Sequence, residues 1–144
     1  MVCLIFVTIV VCSAVLQTRQ SNSEENIIKS QRAYVSVADT YLTFADNALS
    51  YQTDSAGLHD FYESNQIKTY ISDLESAIHR MEELNKELFD EPYAPGWEEE
   101  ALAFMKTCQT IGREDCIYTL SRIQFYKDIM EADLDVIKEQ CGLQ

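Results

Sequence analysis

The side chains with the most reactive chemistry are the cysteines. The stretch CQTIGREDC, residues 108–116, sets Cys108 and Cys116 at equal distance on either side of Gly112, and Cys141 stands near the end of the chain. If two helices turn back on each other at Gly112, each cysteine lies about one helical turn from the bend, so the spacing predicts a Cys108–Cys116 disulfide. Such a bond would close a short loop and stabilise the fold by about 2–3 kcal/mol on the chain-entropy estimate. Connectivity does not follow from sequence alone, and a strong bend in the following helix would reopen other pairings. On a straight helix Cys141 would fall about 37 Å from Cys116, whereas bridged Cα atoms lie within about 7 Å. Cys141 is left as a free or intermolecular thiol, either buried under the end of the fold or joining the chain to a second copy or another protein.

Catalytic use of these residues is poorly supported. Cys141 would sit at the negative end of a helix beside Glu139, a setting that disfavours the nucleophilic thiolate. The two histidines, His59 and His79, show no motif that ties them to a cysteine. Metal chemistry of the di-iron kind requires Glu and His three residues apart, repeated on two helices; Glu75 and His79 are four apart and occur once. They read as neighbours on a helix surface, as do His59 and Glu63. The acidic residues Asp90, Glu91, Glu98, Glu99 and Glu100 lack the spacing of a calcium-binding loop. No phosphate-binding glycine loop, nucleophile elbow or zinc-protease helix occurs. The sequence therefore predicts no enzyme activity, no catalytic residue, no metal and no cofactor.

A binding role is harder to set aside. The chain has eight tyrosines and six phenylalanines, several beside apolar helical stripes. Tyr34, Tyr41, Tyr70, Phe104, Tyr118 and Tyr126 are the candidate ligand-lining residues, with Phe125 close by. The competing reading is that these rings seal the rim of a packed core, since tyrosine joins a large apolar ring to a hydroxyl that tolerates a wet edge.

These residues must be positioned by helices. Ile27/Ile28, Tyr34/Val35, Tyr41/Leu42 and Ala48/Leu49 repeat every seven residues, which predicts a helix with one buried, coiled-coil-like stripe from about Glu25 to about Gln52. Ala38 and Ala45 fill the half-heptad positions, where small side chains let a neighbouring helix approach. TDSAGLHD then breaks the pattern. Ile67, Ile71, Leu74, Ile78, Met81, Leu84 and Leu88 keep to one face of a second helix from about Phe61 to Phe89, with Lys68, Asp73, Arg80, Glu83 and Glu87 opposite. DEPYAPGW stops it.

A short third helix opens on Glu98, Glu99 and Glu100 and turns Trp97, Ala101, Phe104, Met105, Cys108 and Ile111 inward. Asp115 then caps a fourth, with Cys116, Leu120, Ile123, Met130, Leu134, Ile137 and Cys141 inward. Lys127 interrupts this stripe, and Tyr126 or the lysine's own alkyl stem must cover the gap. The fold class is all-α, an antiparallel four-helix bundle with a short third helix.

The amino terminus carries a separate signal. An apolar run from Val2 to Val11, followed by Cys12, Ser13 and Ala14, resembles a secretory signal peptide cut after Ala14, although no Lys or Arg precedes the run. The run is too short for a stable membrane anchor, which needs about 20 apolar residues. This divides the chain into a signal peptide (1–14), a flexible polar segment (15–24) and a single helical domain (25–144). Of the five cysteines, export would remove Cys3 and Cys12 and leave Cys108, Cys116 and Cys141 in an oxidising, extracellular setting.

A formal charge of −13 opposes binding to nucleic-acid phosphates and anionic lipid surfaces, and it favours solubility. The function that follows is that of a secreted, noncatalytic protein that binds an extracellular protein, as an effector or a component of a secretory fluid. The alternative is a carrier of a small apolar ligand between aromatic-rich helices.

Overall fold

The computed structural model describes the backbone of residues 2–89 and 96–141 and the side chains of 23–89 and 96–139. Regular structure among them is entirely helical. There are five α-helices rather than four: α1 (Val2–Leu49), α2 (Ser55–Glu63), α3 (Asn65–Phe89), α4 (Trp97–Cys108) and α5 (Leu120–Cys141), with a 3-10 turn at Cys116–Thr119 before the last. The backbone of residues 15–24, read from composition as a flexible segment, lies within α1. The side chains of Cys3, Cys12 and Cys141 lie outside the described residues, and the backbone at the expected cleavage position after Ala14 lies within α1.

The extra helix has a local cause. Asp54 accepts a hydrogen bond from the Gly57 amide at 2.9 Å and so caps α2 inside the stretch read from sequence as a break. A Cβ on Gly57 would lie 2.5 Å from the capping Asp54 carboxylate and 2.9 Å from the Tyr51 ring, so a larger residue would displace these side chains. Ser64 then divides the helix expected over Phe61–Phe89. Its backbone is extended, at φ −69° and ψ 163°. Its hydroxyl donates to Phe61 O at 2.7 Å and accepts from the Gln66 amide at 3.2 Å. One serine thus closes α2 and caps α3.

Helix α1 packs against both α3 and α5. Asn26 donates to Leu88 O at 3.3 Å and Asn47 donates to the Tyr70 hydroxyl at 2.9 Å, so α1 and α3 run in opposite directions. Tyr34 donates to Asp133 at 2.9 Å and Tyr41 to Ile123 O at 3.4 Å, which gives the same relation between α1 and α5. The buried face of α1 comprises Val37, Ala38, Tyr41, Phe44, Ala45 and Ala48. Its expected apolar pairs are only half turned inward: Ile28, Tyr34, Val35, Leu42 and Leu49 are partly buried and Ile27 is 46% exposed.

On α3, Ile67, Ile71, Leu74, Ile78 and Met81 are buried as the spacing predicts. Toward its end the straight helix drifts from the seven-residue repeat, so Asn85 turns inward while Leu84 and Leu88 stand at the edge. Asn85 satisfies its polar group there with Ser30. Lys127 leaves the core for α1, where it pairs with Asp46 at 3.0 Å and also with Glu131. Tyr126, 1% exposed, fills the gap.

The turn between α4 and α5 corrects the disulfide expectation. Cys108 and Cys116 are separate buried thiols. After Cys108 the backbone continues in tight turns to Ile111 and reverses over Gly112–Asp115. Asp115 makes no side-chain cap, and Cys116 opens the 3-10 turn instead of sitting on an inward helical stripe. Its sulfur is directed to Arg113 O at 3.1 Å and Ser55 O at 3.2 Å, away from Cys108. Helix α2, which the periodicity did not anticipate, supplies Ser55 and sets Tyr62 near both cysteines.

Leu74 is fully buried on α3. Replacing it with alanine removes several buried methyl groups, and the variant is expected to lose about 2–5 kcal/mol in chemical denaturation. An unchanged midpoint would mean that this face of α3 is not the core face.

Candidate functional site

Around Tyr62, a short polar chain crosses the otherwise apolar interior. The Tyr62 hydroxyl lies 2.6 Å from Thr119 Oγ1, and Thr119 donates to Cys116 O at 2.6 Å. Because a threonine hydroxyl has one hydrogen, Tyr62 must donate to Thr119. The order is phenol, threonine hydroxyl, carbonyl, with the buried Cys108 thiol close to the phenol. Burial pushes the Cys108 pKa up from 9.0 to about 12, and raises those of Tyr41 and Tyr62. Cys108 therefore stays protonated near neutral pH and offers no nucleophile.

The histidines stand apart in two acidic surroundings. His59 is partly buried on α2, with Asp60 at 3.9 Å and Glu63 at 3.8 Å. The ligand atoms of these three residues lie within 4.8 Å of one another, so they are the side chains with which α2 would meet a cation. A structural zinc site takes about four ligands, and this single helical turn provides three, two of them exposed. His79 is well exposed near Glu82 and Glu83, at 3.9 and 3.3 Å. Glu75, read from sequence as its neighbour, instead forms an ion pair with Lys106 of α4.

The structure divides the aromatic candidates between interior and surface. Tyr41 and Tyr126 are fully enclosed, with ring centroids 6.2 Å apart and near perpendicular. Tyr34 meets the edge of Trp97 at 5.6 Å, and Tyr70 packs near Phe44 and Phe61 at 6.2 and 6.4 Å. These four serve as packing, each with its hydroxyl bonded at or near the edge of the core. Phe104 and Tyr118 do line a common space: an open surface cleft of about 670 Å³, completed chiefly by Ile111, Gly112, Asp115 and Arg122. A second cleft of about 490 Å³ adjoins it along α4, between Glu100, Ala103, Thr107 and the same Phe104 and Arg122.

Arg122, which periodicity did not single out, organises both clefts. Its guanidinium carbon lies 4.9 Å above the Phe104 ring centroid and 5.7 Å from that of Tyr126. Nε and Nη2 donate to the Tyr126 hydroxyl at 3.3 and 3.1 Å, and that hydroxyl reaches Glu100 at 3.5 Å. The sequence signal was local: Arg122 and Tyr126 are four residues apart, hence neighbours on one helical face. Tyr118 of the 3-10 turn, in the wall of the same cleft, is 75% exposed, and Phe125 of α5 is 58% exposed. The clefts join apolar rings to one fixed cation, and their lining includes no histidine or cysteine among the described residues.

No family model, curated protein or solved structure matches the chain.

The buried thiol has a consequence for alkaline stability. Below pH 9.0 the thiol is protonated in both the folded and unfolded states; between there and about pH 12 only the unfolded chain releases the proton. Ionisation therefore favours unfolding across that window, with Tyr41 and Tyr62 acting in the same direction. Denaturation measured from pH 7 to 11 should show stability falling above about pH 9, with a shallower fall in Cys108→Ala. Equal slopes in the two proteins would remove Cys108 from this account.

Proposed function

We propose that the protein is secreted and noncatalytic and acts by binding another protein outside the cell, through the surface formed by α4, the connector after it and α5. On this reading α1, α3, the short α4 and α5 make an antiparallel four-helix bundle, with α2 as an added brace under the connector. The observation that carries the proposal is the distribution of large side chains: Tyr118 and Phe125 are turned to solvent beside the Phe104 and Arg122 platform. Aromatic residues and arginine are the types that supply most binding energy in protein interfaces. Exposing such rings costs hydrophobic stabilisation, which a partner would recover.

Secretion rests on the amino-terminal apolar run and its small residues. Among the described residues, no helix is long and apolar enough to cross a membrane. The carrier reading draws on one observation, the cleft of about 670 Å³ with Phe104, Ile111 and Tyr118 in its wall. That cleft is open, with Asp115 and Arg122 also in its wall, which suits a protruding side chain better than an enclosed lipid tail.

The deciding measurement is mass spectrometry of the protein recovered from the medium of secreting cells. The expected result is a chain beginning at Val15 that carries no lipid under native conditions. Co-purified lipid would transfer the proposal to the carrier reading, and an uncleaved amino terminus would remove secretion from it. Doubling of the mass without reductant would identify Cys141 as an intermolecular thiol joining two copies.

A further inference from the structure

Helix α5 carries two apolar rows, of which the fold uses one. Ile123, Met130 and Leu134, with Tyr126, point into the core and are at most 3% exposed. The second row, Phe125, Ile129, Ala132 and Val136, advances by four, three and four residues, the spacing of a coiled-coil seam. Phe125 and Val136 are 58% and 54% exposed, Ala132 is exposed and Ile129 half-buried. The row covers about 16 Å of helix, or three turns. Tyr118, in the 3-10 turn before the helix, stands in the wall of the aromatic cleft.

One edge of this row is acidic, while the other carries Asp133 and, near its amino-terminal end, the exposed Arg122. Asp128 and Asp135, both exposed, occupy successive positions seven residues apart along one side. Asp133 stands on the other, accepting from Tyr34. Among the described residues neither Asp128 nor Asp135 takes part in an ion pair; Lys127, beside Asp128, is drawn away to Asp46 and Glu131. A second copy of this helix would set carboxylates against carboxylates, on a chain whose formal charge is already −13. An anionic membrane would meet the same repulsion. A helix with an apolar stripe and lysine or arginine along one border would bury the row and neutralise the Asp128–Asp135 edge.

We infer that the outer row of α5 is the docking face for a basic amphipathic helix of another protein. This deepens the protein-binding function proposed above and rests on it. Apolar contact along Phe125, Ile129 and Val136 supplies affinity, while Asp128 and Asp135 select a cationic border and reject an acidic one.

The test uses the full secreted chain and a dye-labelled synthetic helix of about three heptads, with leucine at the seam positions and lysine at the flanking ones. Two controls have glutamate at the flanking positions or the same residues in scrambled order. The lysine-flanked helix should bind at least about tenfold more tightly than either control. The double variant Phe125→Glu, Val136→Glu should lose about tenfold or more, and Asp128→Asn with Asp135→Asn should lose several-fold and flatten the salt dependence.

The glutamate variant is decisive because it adds negative charge: nonspecific attraction to a basic peptide would rise, whereas seam docking falls. Equal or tighter binding by that variant, or equal binding of the scrambled helix, would overturn the inference. So would a lowered melting temperature in the variant, which would mean that the row is covered within the chain itself. A dimer of the wild type that Phe125→Glu dissociates would assign the face to a second copy instead. Native complexes with a partner protein that survive the double glutamate variant would refute this docking face and leave the protein-binding function standing. A lipid-loaded chain without a polypeptide partner would refute that function itself.

Discussion

Close approach to α1 is the constraint on which the remaining packing depends. Ala38, Ala45 and Ala48 are fully buried, and their small side chains let neighbouring helices lie against the α1 backbone. Tyr41 and Phe44, in the same turns, fill the volume that the alanines leave, and through ring contacts reach Tyr126 of α5, Phe61 of α2 and Tyr70 of α3. One helix thereby touches three others without a void between large residues. Enlarging an alanine on this face would force the helices apart, and the aromatic contacts would be lost together because interiors are packed near crystal density.

The polar groups of the interior follow from that packing. With α3 and α5 held on α1, the short α2 is left to close the end of the core, and it brings Tyr62 against Thr119, Cys108 and Cys116. Each of these groups is matched by a partner, which offsets the cost of removing it from water. The arrangement turns two reactive-looking cysteines into structural residues. Burial that holds Cys108 protonated also withdraws it from oxidants and electrophiles.

Charge acts on a larger scale. The acidic excess is spread over exposed faces, where like charge opposes the approach of other acidic surfaces. Near α5, however, acidic residues border exposed apolar side chains, and Arg122 provides a cation laid over the touching rings of Phe104 and Tyr126. Together these create a surface with a defined sign, shape and register, which a uniformly solvated acidic helix would lack.

Helix periodicity made most of the fold legible in advance. The inner faces of α3 and α5, the acidic opening of α4 and the role of Ala38 and Ala45 all follow from spacing, because side chains three or four residues apart share one side of a helix. The expected Cys108–Cys116 bond failed because its premise was a simple reversal at Gly112. A capping aspartate, a serine serving two helices and a tyrosine inserted from α2 altered the path, and none of these leaves a periodic trace. The aromatic candidates show the same boundary. Their places beside apolar stripes could be read, but whether a ring faces a core or a cleft depends on which helix lies opposite. By itself the sequence determined the helical class, most of the buried stripes and the acidic surface, since these arise from local geometry and composition. Only the tertiary structure decided which aromatics remained exposed, where Arg122 came to rest and why the cysteines stayed apart, because each depends on contacts between residues distant in the chain.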